Sequence, residues 1–87
     1  MDRLQLPTNL QTGENRKLRS RFTKRLAEKL REFRKAKKMT QQELAEASGL
    51  HLTYIGHLEV GKYHPTVYVM WKISKALGVS MNDLTSI

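Results

Sequence analysis

The sequence predicts an all-α fold of five helices, and three observations carry that prediction. Apolar residues recur at steps of three and four over several stretches, and no segment of useful length alternates as a half-buried strand does. Side chains suited to start a helix stand ahead of those stretches, at Thr40, Thr66 and Ser80. Glycines suited to end one stand behind them, at Gly49, Gly61 and Gly78.

Residues 1–20 read as a basic N-terminal arm. Pro7, Thr8, Asn9, Gln11, Thr12, Gly13 and Asn15 interrupt any sustained periodicity there, and Arg16, Lys17, Arg19 and Arg21 make its end strongly positive. The stretch from Arg16 to Arg25 reads equally as the solvated start of a long first helix, and both readings stay open. The helical domain is expected over residues 21–87. Its first helix, from about Phe22 to Lys37, places Phe22, Leu26, Leu30 and Phe33 on one stripe widened by Ala27. Thr40-Gln41-Gln42-Glu43 has the form of a capping box and opens a short helix with Leu44 and Ala45 inward. A third helix, about His51 to Val60, sets Ile55 and Leu58 on one face. A fourth, after Thr66, aligns Val67, Met70, Ile73, Ser74 and Leu77. Ser80-Met81-Asn82-Asp83 resembles one more capped start, for a final helix holding Leu84.

Eighty-seven residues make one domain rather than two, with 39% apolar residues to fill a small core. The absence of cysteine excludes a disulfide framework, a thiolate metal site and a thiol nucleophile. No apolar run approaches the ~18 residues of a membrane span. The N-terminus lacks the apolar stretch of a secretory signal, so a cytoplasmic location is expected. The charge is unevenly placed. Residues 1–38 hold thirteen basic and four acidic side chains, a net +9, whereas residues 39–87 are net −1. A positive half joined to a near-neutral half points to a polyanion, nucleic acid before a membrane surface.

The pair of helices around Gly49 carries the functional information. A helix-turn-helix needs a small residue where its helices touch and a turn residue free to take positive φ. Ala45 and Gly49 meet those demands. Counted from Gln41, the residues Leu44, Ala45, Gly49, Leu50, Ile55 and Leu58 fall in the register of that motif, while Ser48 stands where an apolar residue is usual. The stretch from Leu26 to Leu84, with TQQELAEASG, YIGHLEVGK and KALGVSMNDL as landmarks, resembles the Cro/C1-type (XRE-family) helix-turn-helix of phage repressors and bacterial regulators. The short chain and its HLTYIG segment are also similar to controller proteins of restriction–modification systems.

That resemblance implies a lambda-repressor-like, five-helix domain of bacterial or phage origin. It would act as a transcriptional regulator, a repressor or autoregulator, and bind a partly palindromic double-stranded DNA operator as a homodimer through the major groove. With Ile55 at the centre of the buried face, a turn of 100° per residue sets Thr53 and His57 on the opposite side, as candidate base contacts. A solvated surface histidine is the plainer reading of His57. Leu52 aligns with a family position that often reads bases, and either meets a thymine methyl or seals the core. Gly56 would let the duplex approach closely, or has no role. Phosphate contacts are expected from Gln41 and Gln42 at the start of the second helix, and from Arg16, Lys17, Arg19 and Arg21. The positions of His51, Tyr54 and Lys62 resemble backbone-contacting ones in the family. Arg34 and Glu59 correspond to its ion pair between the first helix and the end of the reading helix.

Tyr68, Val69 and Trp71, with Met81, Leu84 and Ile87, exceed what one small core buries, which marks them as a dimer interface. Alternatively, Trp71 and Met81 complete the monomer core. The protein partners such a regulator admits are RNA polymerase or, in an antitoxin-type interaction module that also binds DNA, a toxin. An enzyme, a metal site and a cofactor find no support: His51, His57 and His64 are badly spaced for shared ligation, and no Gly-rich phosphate loop is present. No membrane partner is expected either.

Overall fold

A computed structural model describes residues 13–86 of the chain, so residues 1–12 of the expected arm, and Ile87, lie outside the described residues. Five helices follow one another: α1 (Gly13–Ala36), α2 (Gln41–Ser48), α3 (Leu52–Glu59), α4 (Val67–Leu77) and α5 (Met81–Thr85). Among the described residues there is no strand. α2 packs on α3 and α4, α1 lies against α3 and α5, and α4 meets α5.

Local chemistry sets the ends of α2, α4 and α5. Thr40 Oγ1 accepts from the Glu43 backbone N–H at 3.0 Å, and the Glu43 carboxylate accepts from the Thr40 N–H at 2.8 Å. Ser80 and Asp83 repeat the box ahead of α5. The Ser80 backbone N–H bonded to its carboxylate holds Asp83 below the usual aspartate pKa. α2 stops at Gly49, whose φ of 69° is left-handed. The next N–H, that of Leu50, bonds back to the Ala45 carbonyl at 3.0 Å.

α1 begins earlier than the apolar pattern indicates. Gly13–Ser20, expected within the arm, are helical. From Glu14 to Phe22 the chain contains neither proline nor glycine nor a β-branched residue, and Glu14 stands in the first turn where the helix dipole favours a carboxylate. Good helix formers therefore prolong α1 with little apolar burial, and periodicity does not register such a segment. The buried stripe is also turned by one residue: Phe22 is exposed, and Thr23 lies inward with Leu26, Ala27 and Leu30.

The core gathers Leu26 and Leu30 of α1, Leu44 and Ala45 of α2, Ile55 and Leu58 of α3, Met70, Ile73 and Leu77 of α4, and Leu84 of α5. Each large side chain buried there contributes about 1.5–3 kcal/mol of transfer free energy. Ser48 is buried among them without penalty, because its hydroxyl donates to the Leu44 carbonyl at 2.7 Å. Among the described residues, no buried side-chain nitrogen or oxygen lacks a hydrogen-bond partner.

Candidate nucleic-acid interface

α3 is fixed from behind and open in front. Ile55 and Leu58 anchor it in the core. Its last residue, Glu59, is buried and receives three donors: Arg34 Nε at 2.6 Å, Arg34 Nη2 at 3.0 Å and Gln41 Nε2 at 3.0 Å. Arg34 Nη1 also donates to the Met39 carbonyl at 2.8 Å, and Arg31 donates to the Glu59 backbone carbonyl. The guanidinium fork thus binds the carboxylate with both oxygens and the loop after α1 with a third donor. The hydrogen bond to Glu59 raises the pKa of Arg34, outweighing the desolvation that opposes it. The end of α3 is thereby tied to α1 and to the start of α2.

The outward side of α3 carries the candidate base readers. Thr53 is exposed, and His57 is half-buried. Leu52 is 44% exposed, so it does not seal the core. Gly56 faces open space: a Cβ built on it meets nothing within 4 Å. Tyr54 is half-buried against the core, and its ring stacks on Tyr63 at 5.8 Å between centroids. Tyr63 also takes the His57 ring edge-on at 5.0 Å. Nothing in the spacing of the sequence signals this aromatic wedge, which orients two candidate DNA contacts from the loop after α3.

Around this face, His51 is exposed at the start of α3, and Lys62 is exposed in the loop with its Nζ 5.9 Å from the Tyr63 ring centroid. Gln42 is exposed and donates to Glu46 at 3.0 Å. Gln41 is half-buried, and its amide nitrogen donates to Glu59 at 3.0 Å. Arg16, Lys17, Arg19 and Arg21 are all exposed on α1. They line a helix rather than an irregular arm.

A second patch lies on α4. Tyr68 and Trp71 are 64% and 47% exposed and stack at 6.3 Å, with Lys72 over the Tyr68 ring and Lys75 over the Trp71 ring. Val69 and Met81 are half-buried against the core. Leu84 corrects the expected interface: its exposure is 0%, because α5 turns it into the core among residues of the same chain, where no partner surface reaches it. Ile87 lies outside the described residues. Among those residues, no group of three His, Cys, Asp or Glu is placed to hold a metal ion, and no helix is long and apolar enough to cross a membrane.

A five-helix domain with a buttressed, outward-facing α3 is the architecture of one class of regulators, and the comparisons agree. The helix-turn-helix (HTH_3) profile matches residues 30–84, and the chain belongs to this XRE-type family of DNA-binding transcription regulators. It is 41% identical over 59 residues to the control protein C.SmaI of Serratia marcescens, covering 68% of this chain and 70% of that protein. It is 43% identical over 58 residues to the control protein C.BamHI of Bacillus amyloliquefaciens, covering 66% of this chain and 72% of that protein. In structure it is similar to the restriction–modification controller protein C.AhdI of Aeromonas hydrophila, with a TM-score of 0.70 and 32% identity, over 71% of this chain and 94% of that one.

Proposed function

We propose that this chain is a sequence-specific regulator that binds a partly palindromic DNA operator as a homodimer and represses its own gene, in the manner of a restriction–modification controller. The observation that carries this reading is the two-sidedness of α3. Its back is held by Ile55, Leu58 and the Glu59–Arg34 pair, and its front sets Leu52 and Thr53 in solvent with Gly56 and His57 half-buried beside them. A helix so held enters the major groove with its reading side chains already placed, and base contacts then discriminate sequence. Thr53 supplies a hydroxyl and a methyl, His57 two ring nitrogens, and Leu52 an apolar surface for a thymine methyl. Phosphates flanking the groove are contacted by the start of α2 at Gln41 and Gln42, by His51, Tyr54 and Lys62, and by basic residues in the first turns of α1. Tyr68, Val69 and Trp71, with Met81 at the margin, form the two-fold contact. A dimer of this kind sets its α3 helices on half-sites about 34 Å apart.

The test is protection of the DNA upstream of the protein's own gene by the purified chain, followed by substitution. Thr53→Ala and His57→Ala should each cost about 1–3 kcal/mol of operator affinity while leaving affinity for random duplex unchanged. Equal losses on operator and random DNA would remove these residues from base reading. Gly56→Ala should separate stability from binding. The helix gains about 1 kcal/mol from alanine in space that is open in the free protein, while operator affinity falls because the new methyl group enters the volume assigned to the duplex. Thermal unfolding and a gel-shift titration of the same sample read both effects.

A further inference from the structure

We propose that the cleft between the N-terminal half of α1 and the loop after α3 is a second phosphate-binding site. It grips the DNA backbone where the duplex runs past the stretch read by α3. This rests on the DNA-binding reading above and adds a site to it. The cleft has a volume of about 630 Å³, and its lining includes Arg16, Arg19, Thr23, Lys24, Gly61 and His64, with no carboxylate in its wall. Among the described residues, Arg16, Arg19 and Lys24 make no ion pair, whereas Arg25 and Arg34 do. Three cations around one opening suit a phosphodiester, and guanidinium forks match its paired oxygens.

The floor of the cleft is built by hydrogen bonds. The Thr23 hydroxyl has one proton, which it donates to the Arg19 carbonyl at 2.7 Å. Its oxygen, 2.8 Å from His64 Nδ1, must therefore accept from that nitrogen. With Nδ1 engaged by Thr23, Nε2 remains as an additional polar group of the ring. Gly61, at a φ of 77°, brings the loop backbone against Thr23: a Cβ there would lie 3.6 Å from the Thr23 carbonyl oxygen.

The cleft is continuous with the reading face. Residues 60–64 form one loop, with Tyr63 against Tyr54 and His57 on one side, and Gly61 and His64 against α1 on the other. Duplex DNA carries a charge about every 1.7 Å along its axis, so a strand passing Lys62 presents further phosphates to the neighbouring cleft. Helical geometry divides the first four basic residues of α1 accordingly. Arg16 and Arg19 line the cleft, while Lys17 and Arg21 do not.

That division supplies a charge-matched test. Arg16→Gln/Arg19→Gln and Lys17→Gln/Arg21→Gln each remove two charges from exposed helical positions, and glutamine keeps the helix. Binding of each full-length variant to a random duplex of about 30 base pairs is followed over a salt series, and the slope of log affinity against log salt is compared with wild type. The cleft pair should lower the slope by about 2, because each phosphate that the protein neutralises adds ~0.9 to it, and the other pair by less than about 0.5. Inorganic phosphate added to the labelled wild-type chain should shift the His64 ring resonances, and Arg16→Gln/Arg19→Gln should abolish that response. Equal slope changes in the two pairs, or unmoved His64 resonances, would overturn the site while leaving recognition by α3 intact. Failure of the wild type to bind any duplex would overturn the DNA reading, and the site with it.

Discussion

Glu59→Ala is expected to lower stability by about 3–5 kcal/mol, the range for removing one partner of a buried ion pair. For a domain of this size that is a fall in Tm of about 4–8 °C per kcal/mol. The cause is what remains behind. The Arg34 side chain, only 12% exposed, keeps its charge without either carboxylate oxygen to receive it, and the Gln41 amide is left with no acceptor. Replacing both partners by apolar residues, Arg34→Met with Glu59→Leu, should recover most of the loss, because a buried pair offsets little more than its own desolvation. Operator affinity should stay reduced in the double variant, since the end of α3 is then tied to α1 by packing alone. Urea unfolding of wild type, Glu59→Ala and the double variant reads the loss and its recovery. A single-variant loss below about 1 kcal/mol would mean that water reaches the pair.

Leu84→Ala should cost about 2–5 kcal/mol, as for other fully buried leucines, with part of that cost in the cavity left behind. The effect should be the same at every protein concentration, because Leu84 packs within one protomer. Trp71→Lys should behave oppositely. At 47% exposure it should change monomer stability little, but shift sedimentation toward the monomer and make Tm concentration-independent. Concentration-dependent loss in Leu84→Ala would place Leu84 itself at the subunit contact.

The contrast between α2–α5 and α1 explains what sequence reading reaches. The starts of α2, α4 and α5 are written in adjacent residues, as Thr40 with Glu43, Thr66 with the Val69 N–H, and Ser80 with Asp83, so three or four letters suffice. The stops at Gly49 and Gly78 are as local. The first turns of α1 hold few apolar residues to give a period, and a one-residue turn of its stripe exchanges Phe22 for Thr23. The candidate site divides in the same way. The outward placement of Thr53 follows from counting along one helix. By contrast, the Thr23–His64 bond joins residues 41 positions apart, the Gln41–Glu59 bond spans 18, and the Tyr63 wedge depends on the path of a loop. No local pattern encodes those meetings.

α1, at 24 residues, is a strut about 36 Å long. Arg34 near one end fastens α3, and Arg16 near the other stands at the cleft. Since a rigid helix transmits rotation along its whole length, the cleft and α3 are phased by the number of residues between them. One residue inserted between Ser20 and Thr23 would swing Arg16 and Arg19 by about 100° about the axis while leaving the buried stripe from Thr23 onward in place. The spacing itself, more than the quantity of charge, would then decide whether both ends engage the same stretch of duplex.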